Sequence, residues 1–226
     1  MAERKFNTGS SWDGWQNKRK IGRRKISKSI PARTVLQMID GWHFARDLKL
    51  PFNRFVTIRP AEINDLTPDE RIAYWETARN KIAQFARDND FEHVSLWSRE
   101  SARDTGQDEH LHLLTHVPLS IADRFDGTAN RWYGDSDEIK IKPADYRRRY
   151  QRSGNIHTAV TYLAKNSPQA ARVEKLRLTY RLGGPILGKR VGWSRNISPA
   201  AQARHEARYR IQGEFGHDRA IRADLQ

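Results

Sequence analysis

The chain lacks cysteine and has no long apolar run. With no Cys among its 226 residues, it has no disulfides, thiolate nucleophiles or cysteine-based zinc sites, so a bound metal must use histidine, carboxylate or amide ligands. No stretch approaches the roughly 20 consecutive apolar residues that span a bilayer, and the N-terminus lacks the hydrophobic core of a signal peptide. We therefore expect a cytoplasmic protein with no membrane partner.

Acidic residues are scarce relative to basic ones. The chain has 41 Lys and Arg against 27 Asp and Glu, which gives a formal net charge of +14. Such a positive field predicts a polyanionic partner, and nucleic acid is the first candidate. The chain also lacks a Gly-x-x-x-x-Gly-Lys-Ser/Thr loop, so we expect no built-in ATP-driven helicase.

The length suits one sizeable domain with polar appendages. Residues 1–30 include "NKRKIGRRKISKS" and show no sustained hydrophobic period, which predicts a disordered basic arm that either contacts nucleic acid or is a solubilising tail. Residues 31–180 are predicted to form the folded domain. Residues 181–226 are predicted to form a basic, Gly-rich loop and a helical C-terminal extension.

The order of periodic segments indicates an α+β fold. A helix is predicted in "IPARTVLQMIDGWHFARDLKL" and a buried strand in "FNRFVTIRP"; a second helix begins at the capping box of Thr67 and Glu70 and runs to about Arg87. "FEHVSLWSRE" and "EHLHLLTHVP" predict two strands joined by a polar turn. A short helix in "LSIADRFDG", a strand in "DEIKIKP" and a helix in "NIHTAVTYLAKNS" follow. This order favours a central antiparallel sheet with flanking helices over a doubly wound parallel sheet.

The stretch "DEHLHLLTHVP" places His110 and His112 two residues apart on a strand. Both imidazoles then share one face, with Cα atoms about 7 Å apart, and both can reach one divalent ion, while the leucines between and beyond them form the core face. Glu100, at the end of the preceding strand, is the first choice for a third ligand. Glu109, expected on the opposite face from His110, is the second. Such a set suits Mg²⁺, Mn²⁺, Fe²⁺ or Zn²⁺, although ordinary surface histidines are the alternative.

The stretch "VTYLAKN" places a tyrosine beside a lysine on a predicted helix. Tyr162 lies off the apolar stripe of that helix, and Lys165, three residues on, shares its flank. The stripe comprises Ile156, Ala159, Val160 and Leu163. A phenol outside the apolar face of a basic protein is well placed to meet a phosphate, although an ordinary amphipathic surface tyrosine is the alternative.

A second pair of tyrosines and several basic residues are further candidates. In "DYRRRYQRS", Tyr146 and Tyr150 are more simply core anchors of a helix whose Arg147 and Arg148 would then face phosphates. Trp193 in "GKRVGWSRN" could stack on a base or pack inside the protein. The predicted DNA contacts are Arg59, Arg147, Arg148, Lys189, Arg190, Trp193 and Arg195.

The ordered set "FVTIRP", "HLHLL" and "YLAK" resembles the three motifs of HUH endonucleases, above all the single-tyrosine rolling-circle replication initiators. The resemblance covers about residues 52 to 166. It implies an HUH/RRM-like sandwich in which His110 and His112 bind Mg²⁺ or Mn²⁺ with help from an acidic residue. It further implies that Tyr162 is the nucleophile and Lys165 its positioning partner.

The same resemblance implies a substrate and a setting. The substrate would be single-stranded DNA or a DNA hairpin at an origin, cut through a 5′-phosphotyrosine intermediate in a bacterial or phage-infected cell. A host helicase and polymerase are candidate partners. The alternatives are a conjugative relaxase, a single-strand transposase, and a non-catalytic basic module that binds nucleic acid.

Overall fold

Five antiparallel strands form the central sheet. The computed structural model describes residues 25–103, 105–132, 138–144, 158–176 and 178–212. The strands of this sheet are β2 (Arg54–Ile58), β3 (Ser95–Glu100), β4 (His110–Thr115), β5 (Ile139–Pro143) and β7 (Val191–Trp193), in the order β5-β2-β4-β3-β7. Two further short strands, β1 (Ile26–Ser27) and β6 (Ile186–Leu187), pair with each other. The prediction of an α+β fold around an antiparallel sheet is confirmed.

Five α-helices accompany the strands in the described ranges. They are α1 (Ala32–Asp47), α2 (Pro68–Asp88), α3 (Ala122–Arg131), α4 (Thr158–Leu163) and α5 (Pro199–Gln212). The start of α2 follows the predicted capping box: the backbone N–H of Glu70 donates to the Thr67 side chain, and the Glu70 carboxylate accepts from the backbone N–H of Thr67 at 2.8 Å. None of the described helices has both the length and the apolar character to cross a membrane.

Both faces of the sheet are buried, which corrects the expectation of a single core face. Leu111 and Leu113 of β4 lie under α2 and α3. On the other face Leu114 is fully buried beside α1 and α4, and His112 is only 4% exposed. The histidine face is therefore covered, and α4 brings Tyr162 over it.

The folded core extends past the predicted range of residues 31–180 at both ends. Ile30 belongs to the core at 2% exposure, and β1 lies within the segment assigned to the arm. The predicted basic loop contains β6 and β7, and β7 is an edge strand of the central sheet. Glycine makes this possible, because a Cβ on Gly192 would lie 2.4 Å from the Trp97 ring that covers it. Residues 1–24 and 213–226 lie outside the described residues.

The partly buried position of His93, just before β3, predicts a loss of stability in acid. Burial, reinforced by the charge of Arg87, lowers the pKa of His93 to about 4. An unfolded histidine titrates near 6.5, so the unfolded chain binds more protons between these values and stability falls as the pH drops through that window. Between pH 7.5 and 5 the loss from this group is roughly 2 kcal/mol.

Urea unfolding of the wild-type and His93→Gln proteins at pH 7.5 and pH 5 measures this loss directly. The variant should lose about 2 kcal/mol less than the wild type over this interval. Equal losses in the two proteins would mean that His93 does not contribute.

Candidate active site

The end of the β3–β4 hairpin brings three metal-ligand side chains together. Glu100 and His110 are Cα partners in the ladder, and His112 follows two residues later on the same face. The Glu100 Oε2 atom lies 3.5 Å from His110 Nε2 and 3.6 Å from His112 Nε2. One ligand atom from each residue lies within 4.8 Å of the others, so the group could bind a metal ion.

The other nitrogen of each imidazole is already held. His112 Nδ1 lies 2.9 Å from the Thr57 hydroxyl, which reaches it from the neighbouring strand β2. His110 Nδ1 lies 2.8 Å from the backbone oxygen of Asp108. Such contacts fix ring orientation and leave the Nε2 atoms to face Glu100, as in many metal sites of proteins.

Sequence reasoning missed the support beneath His110. Asp108 has a positive φ of 51°, a conformation that asparagine and aspartate tolerate better than most residues. Asn64 holds it there, because its amide donates to the Asp108 carboxylate at 3.0 Å and its side-chain oxygen accepts from the Asp108 N–H at 2.7 Å. This conformation places the Asp108 backbone oxygen within hydrogen-bond distance of His110 Nδ1. The sequence indicated this support only by an aspartate at the end of a predicted turn.

The surroundings of Glu100 and His112 favour the protonation states that bind a metal ion. Burial would raise the pKa of Glu100, but its interactions with His110, His112 and Lys165 outweigh burial and hold that pKa well below its ordinary value. Burial lowers the pKa of His112 despite the opposing effect of Glu100, so the neutral imidazole is favoured. A carboxylate and neutral imidazoles are the protonation states that a cation needs.

Two buried atoms of the cluster also lack hydrogen bonds. Among the described residues, neither Glu100 Oε1 nor His112 Nε2 has a hydrogen-bond partner, although buried polar atoms in proteins usually have one. The two atoms without partners are a carboxylate oxygen and an imidazole nitrogen of residues that belong to the same cluster. This donor set fits a divalent cation that accepts nitrogen and oxygen ligands.

Tyr162 projects from α4 toward this cluster. Val160 and Leu163 of the predicted stripe are buried, whereas Tyr162 is 40% exposed. Ala159 is partly buried, and Ile156 lies outside the described residues. The Tyr162 ring packs edge-to-face on His112 with centroids 5.2 Å apart. The tyrosine is therefore solvent-accessible and in contact with a candidate metal ligand.

Lys165 contacts both parts of the site. Its Nζ atom lies 2.8 Å from Glu100 Oε2 and 3.5 Å from the centroid of the Tyr162 ring. The side chain is 10% exposed. The sequence predicted a lysine beside the phenol, and the structure adds that this lysine shares its carboxylate oxygen with the two histidines.

Glu109, the second choice for a third ligand, lies on the opposite face of the sheet. Its carboxylate accepts from Arg99 Nε at 2.6 Å in a buried ion pair. It cannot reach the histidines, because successive side chains of a strand alternate between faces. Glu100 is therefore the carboxylate that joins the cluster.

The predicted DNA contacts do not form one surface. Arg59 is exposed at the end of β2, whereas Lys189 and Arg195 are exposed near β7 at the far edge of the sheet. Trp193 packs partly buried against the core on the α1 side. Arg147 and Arg148, with Tyr146 and Tyr150, lie outside the described residues.

Arg190 is an interior residue, which corrects its assignment to the DNA surface. It is 3% exposed, and its guanidinium donates to the backbone oxygens of Ser27, at 2.8 Å, and Gly184. Burial lowers its pKa to about 10. Arg190 therefore ties β1 and the segment before β6 to the sheet.

No family model, curated protein or solved structure matches this chain. The motif order and the geometry of the site are therefore the observations that bear on function.

The Lys165–Glu100 ion pair predicts competition with a bound metal ion. A cation held by Glu100 would meet the ammonium that already lies 2.8 Å from the same oxygen, and unit charges about 4 Å apart repel by roughly 4 kcal/mol at an effective dielectric constant of 20. Solvent and salt screening reduce this repulsion, so Lys165→Met should bind Mn²⁺ at least about tenfold more tightly in isothermal titration calorimetry. Lys165→Arg, which keeps the charge, should not, and His112→Ala should lose binding. Weaker binding by Lys165→Met would instead make this lysine a support for Glu100.

The interior position of Arg190 predicts a large effect on stability. Arg190→Met leaves buried backbone oxygens without their charged donor, which should cost about 2–4 kcal/mol of unfolding free energy. The adjacent Lys189 is exposed, so Lys189→Met should change stability by less than about 0.5 kcal/mol. Urea unfolding of the two variants makes the comparison, and similar stabilities would contradict the interior role.

Proposed function

We propose that this chain is a metal-dependent single-stranded DNA endonuclease and strand transferase of the HUH type, with Tyr162 as its nucleophile. It would initiate rolling-circle replication of a plasmid, phage or other mobile element. The observation that carries the proposal is the contact of the exposed Tyr162 ring with His112, itself part of the Glu100, His110 and His112 cluster. The order of the three sequence motifs supports the same reaction.

The proposed reaction is a transesterification. The phenol oxygen of Tyr162 attacks the scissile phosphorus, a bond forms between them, and the bond from phosphorus to the 3′ oxygen breaks. The phenol gives up one proton and the leaving 3′ oxygen gains one, so protons balance. The products are a 5′-phosphotyrosyl link and a free 3′-hydroxyl, which can prime synthesis or reverse the reaction and rejoin strands.

Both reactants need electrostatic help. A phenol with a pKa near 10 is mostly protonated at neutral pH, and a phosphodiester repels anions. When bound to Glu100, His110 and His112, Mg²⁺ or Mn²⁺ would withdraw charge from the non-bridging phosphate oxygens. Lys165 would supply a second positive charge beside the Tyr162 ring, against the charge that develops in the transition state.

The substrate is proposed to be a single strand or an extruded hairpin at an origin. This substrate is the one that the resemblance of the three motifs to HUH endonucleases implies. The proposed catalytic residues do not include an ATP-driven helicase. We therefore expect a partner such as a host helicase, or supercoiling, to open the duplex.

The test is a covalent-adduct assay that uses a pool of single-stranded oligonucleotides with Mn²⁺. A 5′-phosphotyrosyl link joins the protein to the 3′ portion of the strand, so a 3′ fluorescent label should move with the protein in a denaturing gel while a 5′ label should be released. Tyr162→Phe removes one hydroxyl without emptying a core position, and the adduct should fall below detection, at least about 10³-fold.

The matched control is Tyr180→Phe, since Tyr180 has the same 40% exposure but is not part of the site. It should form the adduct normally, as should Tyr146→Phe and Tyr150→Phe. An adduct that persists in Tyr162→Phe would remove this nucleophile while keeping the enzyme class. If no adduct forms with any strand although the strands bind, the chain is a non-catalytic basic module. Sequencing the attached ends would separate replication from transfer or transposition.

A further inference from the structure

Two lysines of the edge strand β5 face the candidate active site. Ile139 is 4% exposed and Ile141 packs against the core on the α2 side of the sheet. Because successive side chains of a strand alternate, Lys140 and Lys142 project from the other face, the one that carries His112. Both lysines are exposed.

The register places these lysines close to the site. Lys140 is the Cα partner of Thr57, and Thr57 is the Cα partner of His112, so the three form one row across the sheet. Two strand spacings put Lys140 and His112 about 10 Å apart at Cα. In the next row Lys142 lies opposite Phe55, whose ring contacts Tyr162 with centroids 5.7 Å apart. The lysines thus border the cluster without belonging to it.

Neither ammonium is neutralised by the residues that the structure describes, since no carboxylate there forms an ion pair with Lys140 or Lys142. Their Cα atoms are about 7 Å apart, and the flexible side chains can adjust to two separate anions. Two cations without an acidic partner among the described residues, beside the proposed nucleophile, suit the phosphates that flank a scissile phosphodiester.

We propose that Lys140 and Lys142 hold the DNA strand on one side of the cleavage point, so that the single strand crosses the sheet over its β5 edge. This inference rests on the proposed function, because it names where the substrate of that reaction lies. Arg59 extends the same basic strip, since it continues the alternation of Phe55 and Thr57 beyond the end of β2 and is exposed.

Lysines on edge strands also have a role that involves no ligand. Charge on an exposed edge opposes edge-to-edge pairing with other molecules. That role predicts aggregation when the lysines are removed and no specific change in DNA binding. A strand-binding role predicts the loss of a defined number of phosphate contacts, which salt dependence measures.

The experiment measures binding of a fluorescein-labelled oligodeoxythymidine by anisotropy over a series of KCl concentrations. The full chain carries Tyr162→Phe and the buffer contains EDTA, so no reaction contributes to the signal. The test variant adds Lys140→Gln and Lys142→Gln. The matched control instead adds Arg124→Gln and Arg131→Gln, which removes the same charge from exposed positions of α3 on the opposite face of the sheet.

Loss of two phosphate contacts should reduce the slope of log K against log salt by about 1.4, at roughly 0.7 for each contact with a single strand. At 0.1 M salt the affinity should fall on the order of tenfold. The arginine control should keep the parental slope. Thermal unfolding of both variants checks that each is folded.

An unchanged slope in the lysine variant would overturn the proposal and leave edge protection as the role of these residues. Equal reductions in both variants would also overturn it, because they would indicate the general positive field. The result is independent of the chemistry: a protein that forms no covalent adduct but shows the specific slope change has this binding surface without the proposed reaction.

Discussion

One carboxylate oxygen organises the candidate site. Glu100 Oε2 faces both histidines of β4 and forms an ion pair with Lys165. The ammonium of Lys165 also lies over the Tyr162 ring. A buried anion is costly unless charged or hydrogen-bonding groups surround it. The stabilisation of Glu100 therefore depends on three features: the β3–β4 register, the position of α4 and the end of β3. Loss of any one of them would leave Glu100 buried without sufficient compensation.

The two-sided burial of the sheet gives this carboxylate its setting. On the side of α2 and α3 the core is apolar. The buried Arg99–Glu109 ion pair lies at the hairpin end of this side. On the other side α1 and α4 cover the sheet as far as His112, where apolar packing gives way to ligand groups. Side chains alternate along β3 and β4, so Glu100 and Glu109 lie on opposite faces of the sheet. Glu109 forms a buried ion pair with Arg99, and Glu100 belongs to the group that could bind a metal ion.

Local periodicity explains what could be predicted. Period-two patterns gave the strands and the shared face of His110 and His112, and helical spacing separated Tyr162 from Val160 and Leu163. The missed features have no such period. A strand as short as β7 contains too few residues to show alternation, and Arg190 looks like its exposed neighbour Lys189 until the fold brings Ser27 and Gly184 around it. The Thr57–His112 contact could not be predicted without the register of β2 and β4, because the two residues lie 55 positions apart in sequence.

Net charge alone therefore overstates how much basic surface the proposed DNA substrate could contact. Three of the 41 basic residues are buried with interior partners: Arg99 and Lys165 form ion pairs with carboxylates, and Arg190 donates hydrogen bonds to backbone oxygens. Their removal should destabilise the fold or alter the site before it alters phosphate binding. Cations that contribute to affinity must instead be exposed, unpaired and on the face that carries Tyr162. Among the described residues, Lys140 and Lys142 meet these conditions beside the site, whereas Lys189 and Arg195 lie at the far edge of the sheet.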